Sequence, residues 1–236
     1  MLTFLGIGAQ KCGTTWLYEL LALHPQVRFP AGKEVHFWNR PRERGIDWYR
    51  VLFEGQPESF AVGEITPAYA VLAPPVIADL AAAFPALRLI YLIRNPIERA
   101  WSAALMAMQR AELEIDEVSD RWFIEHFESR GSRGRSDYEA CIRNWRAAYP
   151  AEQLALIRFE DICTQPLDVY LRCCVHLGIE LVDTSQIRAK AGRVVFAGSR
   201  DPIRPELRRY LRETYQSPIE SLARYLQTDL SMWLAP

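Results

Sequence analysis

The sequence predicts a three-layer α/β fold with a central, mostly parallel sheet, and three observations carry that expectation. Short apolar runs alternate along the chain with segments of helical spacing. The first run, Leu2 to Gly8, passes through a glycine-bearing turn into a helix-like WLYELLAL at Trp16 to Leu23, the usual opening of an open α/β sheet. LRLIYLI, Leu87 to Ile93, is apolar at nearly every position, as a parallel strand covered on both faces requires.

Taken in order, Pro25 ends the first helix, and Pro30 and Gly32 mark an irregular passage into KEVHFWNR and an aromatic-rich segment around Trp48, Tyr49 and Phe53. Phe60 to Gly63 reads as a short strand delivering Glu64 at its C-terminal end, and Pro74 and Pro75 suit the start of a helix. Pro96 starts the helix after the Leu87 to Ile93 strand. Ala111 to Gly134 reads as a helix and a mobile loop whose RGSRGR is the clearest basic cluster. Tyr138, Cys141, Ile142, Trp145 and Tyr149 recur at helical spacing, followed by a strand at Gln153 to Arg158 and a helix around Leu167 to Leu177. Ala189 to Pro205 reads as an extended, glycine-broken loop, and two late helices are expected to part near Pro218. No repeat or linker interrupts the chain, so residues 1–236 are expected to form a single domain.

Composition narrows the function. The 28 Lys and Arg against 29 Asp and Glu, a net charge of −1, remove any whole-molecule electrostatic case for nucleic acid but leave room for a local anion site. No stretch reaches the roughly 18 apolar residues of a membrane span, and the N-terminal MLTFLGIGAQK lacks a basic leader, so no integral membrane segment and a cytoplasmic placement are expected. Five cysteines without CxxC spacing and four scattered histidines give no metal pattern; no metal is expected.

The most informative stretch is GAQKCGTT, Gly8 to Thr15, set between strand and helix. Turn amides and a helix N-terminus there can surround phosphate or sulfate oxygens, with Lys11 supplying charge and Thr14 and Thr15 supplying hydroxyls. The spacing is not the nucleotidase GxxxxGK[ST], because Lys11 precedes Gly13 instead of following it. RNPIERAWS adds a second anion motif: Arg94 follows a central strand, and Ser102 lies eight residues later on the next helix. Arg99, between them, reads either as a structural salt bridge or as a ligand.

Together these segments resemble the PAPS-dependent sulfotransferase family, in which GAQKCGTTWL matches the 5′-phosphosulfate loop and LIRNPIERAWS the 3′-phosphate segment. Tyr138 to Ile162 and Tyr225 to Leu234 also resemble it, and GKEVHFWNR and GEITPAYA are similar to its Golgi-like, heparan-type branch and bacterial relatives. The resemblance implies a P-loop-like sulfotransferase fold that transfers a sulfuryl group from PAPS to a hydroxyl, or an amine, of an organic acceptor, releasing PAP. It implies donor contacts from Lys11, Cys12, Gly13, Thr14, Thr15, Trp16, Arg94 and Ser102, with Lys190, Gly192 and Arg193 in a capping loop or merely exposed. A glutamate after the second strand would act as base, which maps to Glu64, although Ile65 stands where the family often has lysine. The alternative for Glu64 is a charge tying down Lys33 or a nearby arginine. His36 would assist proton transfer or make a structural hydrogen bond, and Trp38, Trp48 and Tyr69 would line a cleft or simply pack. The acceptor is a small molecule, lipid, peptide or saccharide. A divergent phosphotransferase or kinase and a noncatalytic phosphonucleotide-binding module remain the other readings.

Overall fold

A computed structural model describes residues 1–193 and 201–235. Five strands, β1 (Phe4–Gly8), β2 (Val27–Arg28), β3 (Ala61–Ile65), β4 (Arg88–Ile93) and β5 (Leu154–Arg158), form one sheet in the order β2-β3-β1-β4-β5. Every pairing is parallel, so the expected mostly parallel sheet is wholly so. All residues of β1 and β3 are buried, and burying each large apolar side chain contributes roughly 1.5–3 kcal/mol. Gly6 lets β1 lie close to β3, since a Cβ there would stand 2.7 Å from Ile65 Cγ1. β1 is central, with β3 on one side and β4 on the other. The C-terminal end of such a strand is where open α/β sheets place ligands.

The helices flanking and following the strands are α1 (Thr14–Leu21), α2 (Gly45–Val51), α3 (Pro74–Ala83), α4 (Pro96–Arg110), α5 (Asp120–Glu128) and α6 (Arg130–Ser136). They continue with α7 (Tyr138–Arg146), α8 (Phe159–Thr164), α9 (Pro166–Leu177), α10 (Ser185–Ala191) and α11 (Pro205–Leu226). Contacts group the chain into two compact units. One holds Met1–Ile93 and the described residues from Arg143 to 193, including the whole sheet; the other holds Arg94–Ile142 and the described residues from 201 onward. No helix among the described residues is long and apolar enough to cross a membrane.

Four elements depart from the sequence expectation. β2 occupies the passage read as irregular, where Val27 and Arg28 pair with Ala61 and Val62. RGSRGR is helical as α6 instead of part of a mobile loop: Ser129 caps it, and Arg99 binds both Ser132 and Ser136. Ala189 to Pro205 is not extended throughout, because Thr184 caps α10, which runs to Ala191; residues 194–200 lie outside the described set. The two late helices are one, α11, with Pro218 inside it. Its buried stripe of Leu207, Leu211, Tyr215, Ile219 and Leu222 runs straight through, so continuous burial offsets a proline cost of about 3 kcal/mol.

Candidate active site

The anion-binding turn lies between β1 and α1. Gly13 is the N-cap of α1 at φ 93°, a left-handed conformation that favours glycine, and contributes no side-chain cap. A Cβ there would also press on Ile162 Cδ1 at 3.1 Å and Phe159 Cδ2 at 3.2 Å. The amides of Thr14, Thr15 and Trp16 form the first helical turn and have no carbonyl one turn back inside the helix. Lys11 sits in the same turn at φ 71°. This donor-rich, cationic set, centred at the end of β1, suits the oxygens of a phosphosulfate.

Three of the expected contacts also make bonds within the fold. Cys12 is fully buried, and its amide donates to the Ala9 carbonyl at 3.3 Å, which closes the turn. Trp16 is buried as well, and its indole N–H donates to the Ala191 carbonyl at 3.0 Å, tying α1 to the end of α10. Lys190 pairs with Glu19 on α1, so its ammonium reinforces the same tie. Gly192 and Arg193 follow α10 and are exposed.

Arg94 is the residue after β4, and Ser102 lies within α4; both are partly exposed members of the second unit. The Arg94 guanidinium stands 3.9 Å from Glu98, which also pairs with Arg208 at 3.3 Å. Asn95 caps α4 by accepting from the Ile97 amide at 3.0 Å and donates to the Trp233 carbonyl at 3.0 Å, which fixes the start of the helix. Among the described residues, Arg99 forms no salt bridge with a carboxylate. It is fully buried and donates to the hydroxyls of Ser136 at 2.7 Å and Ser132 at 3.0 Å, and to the Ser132 carbonyl at 3.1 Å.

The acceptor-side segments present two contrasting carboxylates. Glu64, inside β3, is fully buried and accepts from Tyr49 Oη at 2.5 Å, Thr66 Oγ1 at 2.6 Å, Tyr69 Oη at 2.9 Å and the Val35 amide at 3.2 Å. Neither Lys33 nor an arginine is among these donors. Burial drives the Glu64 pKa up despite the four hydrogen bonds. Glu34, in contrast, is exposed, adopts φ 64°, and lies against Lys33 and 3.5 Å from His36 Nε2. Burial raises its pKa, but the hydrogen bonds and charges of Lys33 and His36 outweigh that and hold it below the ordinary value. His36 is also left-handed, at φ 61°, and its Nδ1 bonds Asn39 Oδ1 at 3.1 Å.

A raised pKa would suit a base, but reach comes first, and no face of Glu64 is open to an acceptor. The accessible carboxylate of these segments is Glu34, which the sequence analysis did not single out. The available signal was an acid placed between a lysine and a histidine in KEVH. Of the aromatic candidates, Tyr69 is committed to Glu64, Trp38 is buried against Phe37 and Tyr49, and Trp48 is half-exposed under the Arg44 guanidinium.

A family model for the sulfotransferase domain matches residues 3–197. The chain belongs to the sulfotransferase family. It is 30% identical over 196 residues to heparan sulfate glucosamine 3-O-sulfotransferase 3A1 of Mus musculus, covering 76% of this chain and 46% of that protein. The chain thus spans about half the length of the curated relatives it matches. A sulfotransferase from Alicyclobacillus acidocaldarius, 26% identical, superposes with a TM-score of 0.80 over 100% of this chain and 99% of its own. A mouse sulfotransferase solved in complex with PAP shares the fold at a TM-score of 0.63 and 14% identity, covering 96% of this chain and 88% of its own. Among the described residues, no group of three or more His, Cys, Asp or Glu is placed to hold a metal.

Proposed function

We propose that the chain transfers a sulfuryl group from PAPS to a hydroxyl, or an amine, of an organic acceptor. The observation that carries this reading is the anion-binding turn itself: an α1 N-terminus that lacks a side-chain cap, with Lys11 in the preceding turn, at the end of the central strand of a sulfotransferase domain. The donor supplies a sulfuryl group whose S–O bond to the 5′-phosphate breaks as an acceptor–sulfur bond forms and the acceptor proton passes to a carboxylate. Lys11, the α1 amides and the hydroxyls of Thr14 and Thr15 hold the sulfate end and stabilise the charge that develops there. Arg94 and Ser102 hold the 3′-phosphate and fix register. Arg193 and the Gly192 backbone contribute to the nucleotide cap, while Cys12, Trp16 and Lys190 support the loop through the contacts already described.

On the acceptor side, Glu34 takes the proton, with Lys33 and His36 orienting it, and Glu64 positions the segment by accepting the Val35 amide. This assignment replaces Glu64 with Glu34 as the base because Glu34 is exposed and remains ionised near neutral pH. The heparan-type relatives favour a saccharide hydroxyl as acceptor, and the full-length likeness to a bacterial sulfotransferase supports a place in bacterial metabolism.

The test pairs calorimetry with turnover. PAP should bind more tightly than AMP or ATP without added magnesium, and mass spectrometry should detect sulfated products from PAPS and a panel of saccharides, lipids, peptides and small hydroxyl compounds. Equal affinity for PAP and AMP would remove the 3′-phosphate role. Selective ATP turnover that needs magnesium would replace sulfuryl transfer with phosphoryl transfer.

A further inference from the structure

The second unit holds a concentration of hydrogen-bond donors that the proposed reaction does not use. Its centre is Arg99 on α4, fully buried, whose Nε and Nη2 reach Ser136 and Ser132 on α6. Arg99 Nη1 is buried and has no hydrogen-bond partner, and the same is true of Nε of Arg135, whose Nη1 donates to the Gly131 carbonyl at 2.8 Å. Neighbouring cations are treated differently. Arg133 lies 3.6 Å from Glu128, Arg121 2.9 Å from Glu125, Arg204 2.6 Å from Asp120 and Arg208 3.3 Å from Glu98. Among the described residues, no carboxylate lies within ion-pair distance of Arg99 or Arg135.

The two serines add to the imbalance. Ser132 and Ser136 are only 5% and 3% exposed, and both accept from Arg99. Each hydroxyl keeps its own proton to donate, and among the described residues no acceptor receives either one. Four donors, Arg99 Nη1, Arg135 Nε and the two serine hydroxyls, therefore gather on α4 and α6 beside a buried, uncompensated charge. Buried charges are stable when paired, and a surplus made only of donors calls for a partner that only accepts. The potential is felt nearby: burial, Arg99 and Arg135 together hold the His126 imidazole below its ordinary pKa.

We propose that Arg99, Arg135, Ser132 and Ser136 bind a small inorganic anion, a halide or a tetrahedral oxyanion, through donors that the proposed PAPS contacts do not include. Both classes accept N–H and O–H donors without returning a proton, and the experiment distinguishes them. Crystals of the full chain are soaked separately in bromide and in selenate, and anomalous difference maps are calculated. A peak within hydrogen-bond distance of Arg99 Nη1 and Arg135 Nε in one soak supports the site and names the class; no peak there in either soak overturns it.

In solution, thermal unfolding is followed at constant ionic strength while gluconate is exchanged for chloride or sulfate, with saturating PAP present so that the donor site does not respond. The expected result is a saturable rise in Tm for the native chain and for Arg133→Gln, with the rise lost in Arg135→Gln. Arg135 is partly exposed, so its variant should fold, and Arg133 controls for removal of one α6 charge. Equal responses from the native chain and Arg135→Gln overturn the proposal.

Discussion

Glu34 and Glu64 sit in segments tied through the backbone, the Val35 amide donating to the Glu64 carboxyl and the Glu34 amide to the Ile65 carbonyl, yet their surroundings make them different reagents. Glu64 is a carboxyl enclosed by two phenols, a threonine hydroxyl and an amide, with its pKa raised by burial. Glu34 is exposed, held in a left-handed turn and kept ionised by Lys33 and His36. The difference teaches that, of two acids in neighbouring motifs, the accessible one can exchange a proton with a substrate while the enclosed one fixes the backbone that presents it.

The comparison breaks most sharply at Glu34→Gln. Turnover should fall by roughly 10²- to 10⁴-fold while calorimetric PAP binding is kept; native-like single-turnover sulfation would return the base role to Glu64. The pH profile adds a second discriminator. With Glu34 as base, the acid limb of kcat/KM falls below the ordinary glutamate value of 4.5, whereas a Glu64 base would place that limb above it. Lys11→Ala should follow, lowering saturated turnover about 10²- to 10³-fold, on the scale of a lost charge-stabilising donor, with less effect on PAP affinity.

Arg94→Ala should cost PAP about 1.5–3 kcal/mol of binding and leave AMP affinity nearly unchanged, both read by calorimetry. Glu64→Gln should act chiefly on stability, by about 1–3 kcal/mol, because an amide nitrogen then faces a hydroxyl or N–H donor. Its pH dependence has a definite sign. A raised folded pKa means that Glu64 contributes stability fully below its unfolded value, and that this contribution is lost as pH rises through the folded value. The stability gap between native and variant chains should therefore narrow from acid to neutral pH in thermal unfolding. Trp16→Phe should be smallest, about 1 kcal/mol, from the unpaired Ala191 carbonyl.

What could be read in the sequence was whatever repeats over several residues. The apolar runs marked β1, β4 and β5, and proline marked the starts of α3 and α4. β2 is two residues long, too short for any period to show. α6 is held by a buried arginine two helices back in the chain, 33 and 37 residues before the serines it binds, so its glycine- and serine-rich composition pointed the wrong way. The strand-to-helix turns that carry Lys11 and Arg94 were legible because in each a cation closely follows an apolar run. The burial of Glu64 was not, since AVGEI gives no sign that Tyr49 and Tyr69 close over it. Nor could the left-handed turn at Glu34 be seen, as neither glycine nor asparagine marks it.

The central place of β1 has a consequence for how the chain acquires its structure. Phe4 pairs with Gly63 on one side and with Arg88 on the other, so the earliest of the five strands to be synthesised waits until about sixty residues, and then more than eighty, have followed it before its neighbours exist. Hairpins offer no shortcut in a sheet whose pairings are all parallel, and each closure must be completed before its contacts return any stability. The turn after β1 can reach its final shape only late in folding, when the Ala9 amide finds the Leu92 carbonyl on β4. Refolding from denaturant should accordingly restore helical circular dichroism before it restores the ability to capture PAP.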